Sequence, residues 1–244
     1  MPRYYQLTRK HSYALLFALP LLVLYELGAA LIAGPSQGLR NGADVLLRTL
    51  LATGGIHSTL AFTAILVVGA AILVVRERRR EKVPLQAGVF AGMMFESVIY
   101  AMVFGTVVGT LSGWILGGFR LAADPGGAMN HLPAADGLVL SLGAGFYEEL
   151  LFRVLLVGGL IAVFKSAGVG KTATAVWAAV LAALLFSGFH YIGPYAYPLE
   201  LSSFTFRFLS GLALNALFIT RGFGIAAWTH ALYDVYVLVL HHGG

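Results

Sequence analysis

Two adjacent carboxylates, Glu148 and Glu149, interrupt an apolar run that reads Gly145-Phe146-Tyr147-Glu148-Glu149-Leu150-Leu151-Phe152-Arg153. Removing a carboxylate from water disfavours its charged form, which suits it to take a proton near neutral pH. Glu149 and Arg153 are four residues apart, the spacing of an ion pair within one helix. Glu148 lies about 100° around the helix and has no such partner on it. A second apolar run ends Phe186-Ser187-Gly188-Phe189-His190, and a third carries His230 and Asp234 one turn apart in Trp228-Thr229-His230-Ala231-Leu232-Tyr233-Asp234. Read structurally, Arg153 only neutralises Glu149, and His230 with Asp234 pins two helices; Glu148 is then left unexplained. Read chemically, a carboxylate and a histidine hold and deprotonate a water. A second histidine stabilises the oxyanion formed when that water attacks a carbonyl. The same side chains offer two other uses. His190, His230 and a carboxylate match the donor types of a zinc site with an open position, although no H-E-x-x-H sequence is present. A proton relay in a transporter would also use intramembrane carboxylates and histidines, but the chain lacks the paired half-helices in two similar halves that such folds show. With no cysteine, thiolate catalysis and Cys-ligated metals are excluded.

The elements that position these residues must be membrane helices. Of 244 residues 59% are hydrophobic and 11% charged, with a mean hydropathy of +0.83. A soluble domain carries about 25% charged residues, so too little polar surface exists to cover a water-soluble globule. Strand-like alternation is absent, and the sequence predicts an all-α polytopic bundle forming one integral-membrane domain over 1–244. Seven spans are expected, near Tyr13–Ala33, Thr59–Val75, Gly88–Phe119, Leu138–Phe164, Thr172–Tyr191, Leu201–Thr220 and Ile225–Leu240. Gly88–Phe119 is long enough to be tilted or broken, and an amphipathic piece near Ala43–Thr53, carrying Arg48, suits the interface. If either is misread the count becomes eight. The first run is too long for a cleavable signal peptide, Gly34-Pro35-Ser36 lying beyond a full span.

The net charge of +5 is distributed for orientation in a bilayer rather than for nucleic acid. Arg3, Arg9, Lys10, Arg76, Arg78, Arg79, Arg80, Lys82, Lys165, Lys171 and Arg221 share one side if the N-terminus is cytoplasmic. Asp44, Asp124, Asp136 and Glu200 fall opposite, with Arg40 and Arg120. The expected location is a bacterial cytoplasmic membrane. Glu26, Glu96 and Arg207 are further intramembrane charges, expected to pair with one another structurally. Gly105, Gly109, Gly113 and Gly117 recur every four residues, a smooth face for internal packing or for a homodimer. The stretch 121–137 is the linker of note. His11, His57, His131, His241 and His242 lie in loops, interfaces or tails and take no role.

The E-E-x-x-x-R of Glu148–Arg153, the F-x-x-x-H of Phe186–His190 and the H-x-x-x-[N/D] of His230–Asp234 occur in order on three helices about 40 residues apart. Together they resemble the three motifs of the CAAX-protease and bacteriocin-processing (Abi) family of intramembrane endopeptidases, which includes the type II prenyl-protein endopeptidases. Ile219–His230 is also similar to that family's lead-in to its last motif. The resemblance covers 138–234, the expected catalytic core. It implies that Glu148 activates a water with help from His190, that Glu149 and Arg153 orient the site, with Arg153 also near substrate, and that His230 donates to the oxyanion. Asp234 stands where the prenyl endopeptidases have asparagine. An ionised aspartate cannot donate a hydrogen bond, so Asp234 is expected to orient His230; a protonated Asp234 or a metal-assisted site are the alternatives. The substrate implied is a membrane-anchored or hydrophobic peptide or protein, and the family's description as glutamate-type proteases implies no obligatory metal. One tension remains. Counted along the helices, His190 falls near the outer end of its span, while His230 lies about two turns from the inner end. Either the fifth helix starts well inside the cytosol, or 191–200, with Pro194 and Pro198, folds back into the membrane.

Overall fold

The computed structural model describes residues 2–32, 37–117, 132–193, 196 and 198–242. Gly34-Pro35-Ser36, Phe119, Arg120, Asp124, His131, Pro194 and most of the expected linker lie outside them, as do the side chains of Arg3, His241 and His242. Among the described residues every regular element is a helix and no strand is present. α1 (Pro2–Thr8), α2 (His11–Leu31), α3 (Gly42–Thr53), α4 (Thr59–Glu81) and α5 (Ala87–Ile115) form the first half. α6 (134–166), α7 (Lys171–Phe189), α8 (Leu201–Arg221) and α9 (Phe223–His242) form the second.

Five helices, α2, α4, α5, α7 and α8, are long and apolar enough to cross a membrane. The protein is therefore an integral membrane protein. α5 is unbroken over 29 residues, about 43 Å at 1.5 Å per residue, against a hydrocarbon core of about 30 Å; it must tilt or protrude. The Ala43–Thr53 piece is α3, and it turns Ala43, Asp44 and Leu47 into the protein. Asn41 caps it, its side chain accepting from the Ala43 N–H at 2.9 Å.

The helix carrying the carboxylate pair is not α-helical throughout. α6 begins as an α-helix (Ala134–Gly143), passes through two π-helical stretches (Ala144–Glu148 and Leu150–Val157), and ends as an α-helix (Gly158–Ser166). π turns keep every backbone group bonded inside the helix, as the hydrocarbon demands, while rotating side chains off the α register.

α9 is the central element and packs on α2, α5, α6 and α8. Its small residues permit this: Ala226, Ala227 and Ala231 are buried. Gly145 on α6 lies so close that a Cβ there would sit 2.5 Å from Ala231 Cβ and 2.6 Å from the Ala227 carbonyl oxygen. Gly222, at φ +92, makes the turn between α8 and α9. Within the chain the glycine series of α5 does not form one internal packing face. A Cβ on Gly105 would meet the Tyr233 ring at 2.9 Å, Gly113 has nothing within 4 Å, and Gly117 stands beyond the helix end at φ +69.

The intramembrane charges pair differently from the sequence expectation. Arg207 meets neither glutamate; it donates to Ser203 Oγ and to the Tyr191 hydroxyl. Glu26 accepts from Arg40 (2.8 Å), Arg48 (2.7 Å) and the Tyr147 hydroxyl (2.6 Å). Asp44 accepts from Arg40, Arg48 and the Tyr25 hydroxyl. Glu96 is held in a fork by Arg221, at 2.6 and 2.7 Å, and accepts from Tyr4 and Tyr100. The partners are hidden in the sequence because Arg40 and Arg221 flank apolar runs and read there as loop cations, while Arg48 reads as the polar face of an interfacial helix. Burial of a carboxylate in hydrocarbon recruits whichever guanidinium reaches it.

Candidate active site

Glu148, Glu149 and Arg153 are buried in the π-helical part of α6. Their partners come from three other segments. Glu149 Oε1 receives His230 Nδ1–H from α9 at 2.7 Å and lies 2.9 Å from Arg153 Nη1 of its own helix. The intrahelical pair expected from the spacing is thus present, and it is a triad. Arg153 Cζ stacks 4.5 Å from the centre of the Phe186 ring. That ring also packs edge-on against Phe152 (5.2 Å) and His190 (4.9 Å). The aromatic residue four before His190 is therefore the wedge that spaces the arginine from the histidine.

Glu148 has a partner that the sequence reading missed. Its Oε1 accepts from Asn41 Nδ2 at 2.8 Å, while Oε2 makes no hydrogen bond among the described residues and lies 4.0 Å from His190 Nε2. Because Asn41 Oδ1 is committed to the α3 cap, its amide nitrogen must be the atom that faces Glu148. The only sequence signal for Asn41 is that of an N-cap before an amphipathic helix.

The two imidazoles are fixed through their Nδ1 atoms. His190 Nδ1 lies 2.9 Å from the Phe186 carbonyl oxygen, which can only accept, so Nδ1 carries the proton and in the neutral ring Nε2, on the side of Glu148, is the unprotonated nitrogen. In His230, Nδ1 bonds Glu149 and Nε2 lies 3.6 Å from Asp234 Oδ2, beyond hydrogen-bond length. The side chain that fixes the ring of His230 is therefore Glu149, with Asp234 flanking its other nitrogen. Among the described residues no group of three His, Asp or Glu side chains is arranged to hold a metal ion.

The difference in depth between the histidines is absorbed by the packing. Phe186 is fifteen residues into α7, roughly 22 Å along it, and His230 seven into α9, roughly 10 Å, yet their rings are 6.2 Å apart. α7 and α9 therefore do not start at one level along a common axis. All six residues singled out by sequence come to one place: Glu148, Glu149, Arg153, His190, His230 and Asp234. The connection between α2 and α3 contributes Asn41.

Neither comparison with curated proteins nor comparison with solved structures gives a match. Residues 130–236 match the family model described as type II CAAX prenyl endopeptidase Rce1-like, and that segment contains all six side chains just described.

Proposed function

We propose that the protein is an intramembrane endopeptidase that hydrolyses a peptide bond in a membrane-tethered or hydrophobic substrate, with a water activated by Glu148 and His190. The observation that carries this reading is the pair of acceptor atoms facing each other across 4.0 Å, Glu148 Oε2 and His190 Nε2. An oxygen placed about 2.8 Å from each is within hydrogen-bond reach of both, at an angle of about 90°. In the reaction that water gives a proton to Glu148, and its oxygen bonds the scissile carbonyl carbon while the carbonyl π electrons move onto oxygen. The C–N bond then breaks, and the departing amine takes the proton from Glu148. His230 donates to the oxyanion through Nε2. Because Nδ1 already donates to Glu149, this requires both ring protons, and Glu149 and Asp234 flank the ring on its two sides.

In the same reading the protein crosses a bacterial cytoplasmic membrane seven times, through the five long helices, α6 and α9, with the N-terminus in the cytoplasm. Supporting this, cation-rich ends gather together: Lys10 pairs with Glu81, Glu77 accepts from the His11 and Ser12 N–H groups, and Arg221 stacks on Tyr5.

Glu148→Ala and His190→Ala variants are expected to insert normally and to lose cleavage by at least about 100-fold; normal processing by both would refute the proposal. Comparing the peptides of cells carrying wild type with those carrying Glu148→Gln, with and without chelator, identifies the substrate. Activity that survives chelation is the expected result.

A further inference from the structure

The contact between Asn41 and Glu148 joins two parts of the chain 107 residues apart, and every other polar group of Asn41 is also committed. Its backbone N–H donates to the Tyr25 hydroxyl at 3.0 Å, and that hydroxyl donates to Asp44 Oδ2 at 2.9 Å. Asp44 in turn is held by Arg40 and Arg48, which both reach Glu26. Glu26 closes the circuit by accepting from the Tyr147 hydroxyl, the side chain immediately before Glu148. Two guanidinium groups meet two carboxylates, so the network can be neutral as a whole, and it braces α2 and α3 against the π-helical segment. Networks of this kind hold their members more rigidly than isolated pairs.

We infer that Asn41 is a positioning residue for the reaction: by donating to Oε1 it turns Glu148 so that Oε2 faces His190. This rests on the reading of Glu148 and His190 as the water-holding pair. With two equivalent oxygens and no donor on either, the carboxylate could rotate and present neither atom to the histidine. The donor also offsets part of the cost of holding that carboxylate in the apolar interior. The role is separable from the capping of α3, because capping uses Oδ1 and positioning uses Nδ2.

The test exploits that separation. Asn41→Asp and Asn41→Ser retain a side-chain oxygen suited to the cap but lack the amide donor; Asn41→Ala lacks both. Cleavage of an internally quenched farnesylated CAAX-type peptide is measured alongside thermal unfolding in one detergent. The Asp and Ser variants are expected to unfold within a few degrees of wild type, with kcat lowered about tenfold or more and KM within about twofold. A readout that needs no substrate accompanies it. Hydrophobic carbodiimides label protonated carboxyl groups, so labelling at Glu148, read by mass spectrometry against Glu148→Gln as blank, should rise about tenfold in Asn41→Ser. Wild-type kcat and wild-type labelling in the Asp and Ser variants would overturn the inference and leave Asn41 as a cap only. Cleavage by Glu148→Gln at the wild-type rate would instead refute the assignment of Glu148 as the base, absence of cleavage by the wild type would refute the CAAX-type substrate, and the labelling result would still decide whether Asn41 governs Glu148.

Discussion

Arg153 is fully buried, and none of its three nitrogens makes a hydrogen bond among the described residues. What holds it is charge and stacking: Glu149 at 2.9 Å and the face of Phe186 at 4.5 Å. Removing one member of a buried ion pair costs about 3–5 kcal/mol, because the other charge is left uncompensated. Arg153→Ala is therefore expected to destabilise the fold by about that amount. Arg153→Lys, which keeps the charge but not the planar stack, should fall between. Thermal unfolding of both in the same detergent checks the order, and equal midpoints for the two variants would show that charge contributes nothing. At this scale the sequence was informative wherever a residue was costly to bury. Glu148, Glu149, Arg153, His190, His230 and Asp234 stand out because ionisable groups in apolar runs demand a reason. Asn41 does not, since an uncharged amide before a short amphipathic helix is already explained as a cap. The partners of Glu26 and Glu96 were illegible for a different reason: Arg40 and Arg221 lie in connections or at a helix end, where cations are expected, and Arg48 lies on a short amphipathic helix.

The elements impose a tighter tolerance on one face of α6 than on any stretch of α5 that the glycine spacing brings to notice. Gly145 abuts the backbone of α9 three residues before Glu148, so any added side chain pushes the two helices apart and withdraws His230 from Glu149. Gly145→Ala is expected to cost about 1–3 kcal/mol by overpacking and to reduce cleavage, whereas Gly113→Ala, with nothing within 4 Å, should be neutral in both assays. A silent Gly145→Ala would show that α6 and α9 can separate without consequence for the site. Helix positions were legible from apolar length to within a few residues for α2, α5, α7 and α8. The π-helical register was not, because a segment apolar on every side has no hydrophobic period from which a change of register can be read.

At the scale of the whole molecule, the Arg221–Glu96 fork ties α1, α5 and the α8–α9 turn together. Arg221 also lies over the Tyr5 ring at 4.1 Å. Among the described residues no hydrogen bond or ion pair joins this cluster to the carboxylate pair. Arg221→Ala is expected to lower stability by on the order of 2 kcal/mol, part of the pair being exposed, while kcat of the folded enzyme stays within about twofold. Activity and unfolding measured on one preparation separate the two, and a loss of kcat at unchanged stability would contradict this assignment.

The embrace of α6 by the first helices bears on how small a working enzyme can be. The family match begins at residue 130, and a chain starting there would contain all six motif side chains. It would lack Tyr25, whose ring a Cβ on Gly143 would meet at 2.4 Å, and it would lack the amide that grips Glu148 Oε1. Such a fragment would carry every residue by which the family is recognised and would still be without the part that aims its base. Transplanting the motifs into another helical scaffold would fail for the same reason, unless the graft brought residues 25–48 with it.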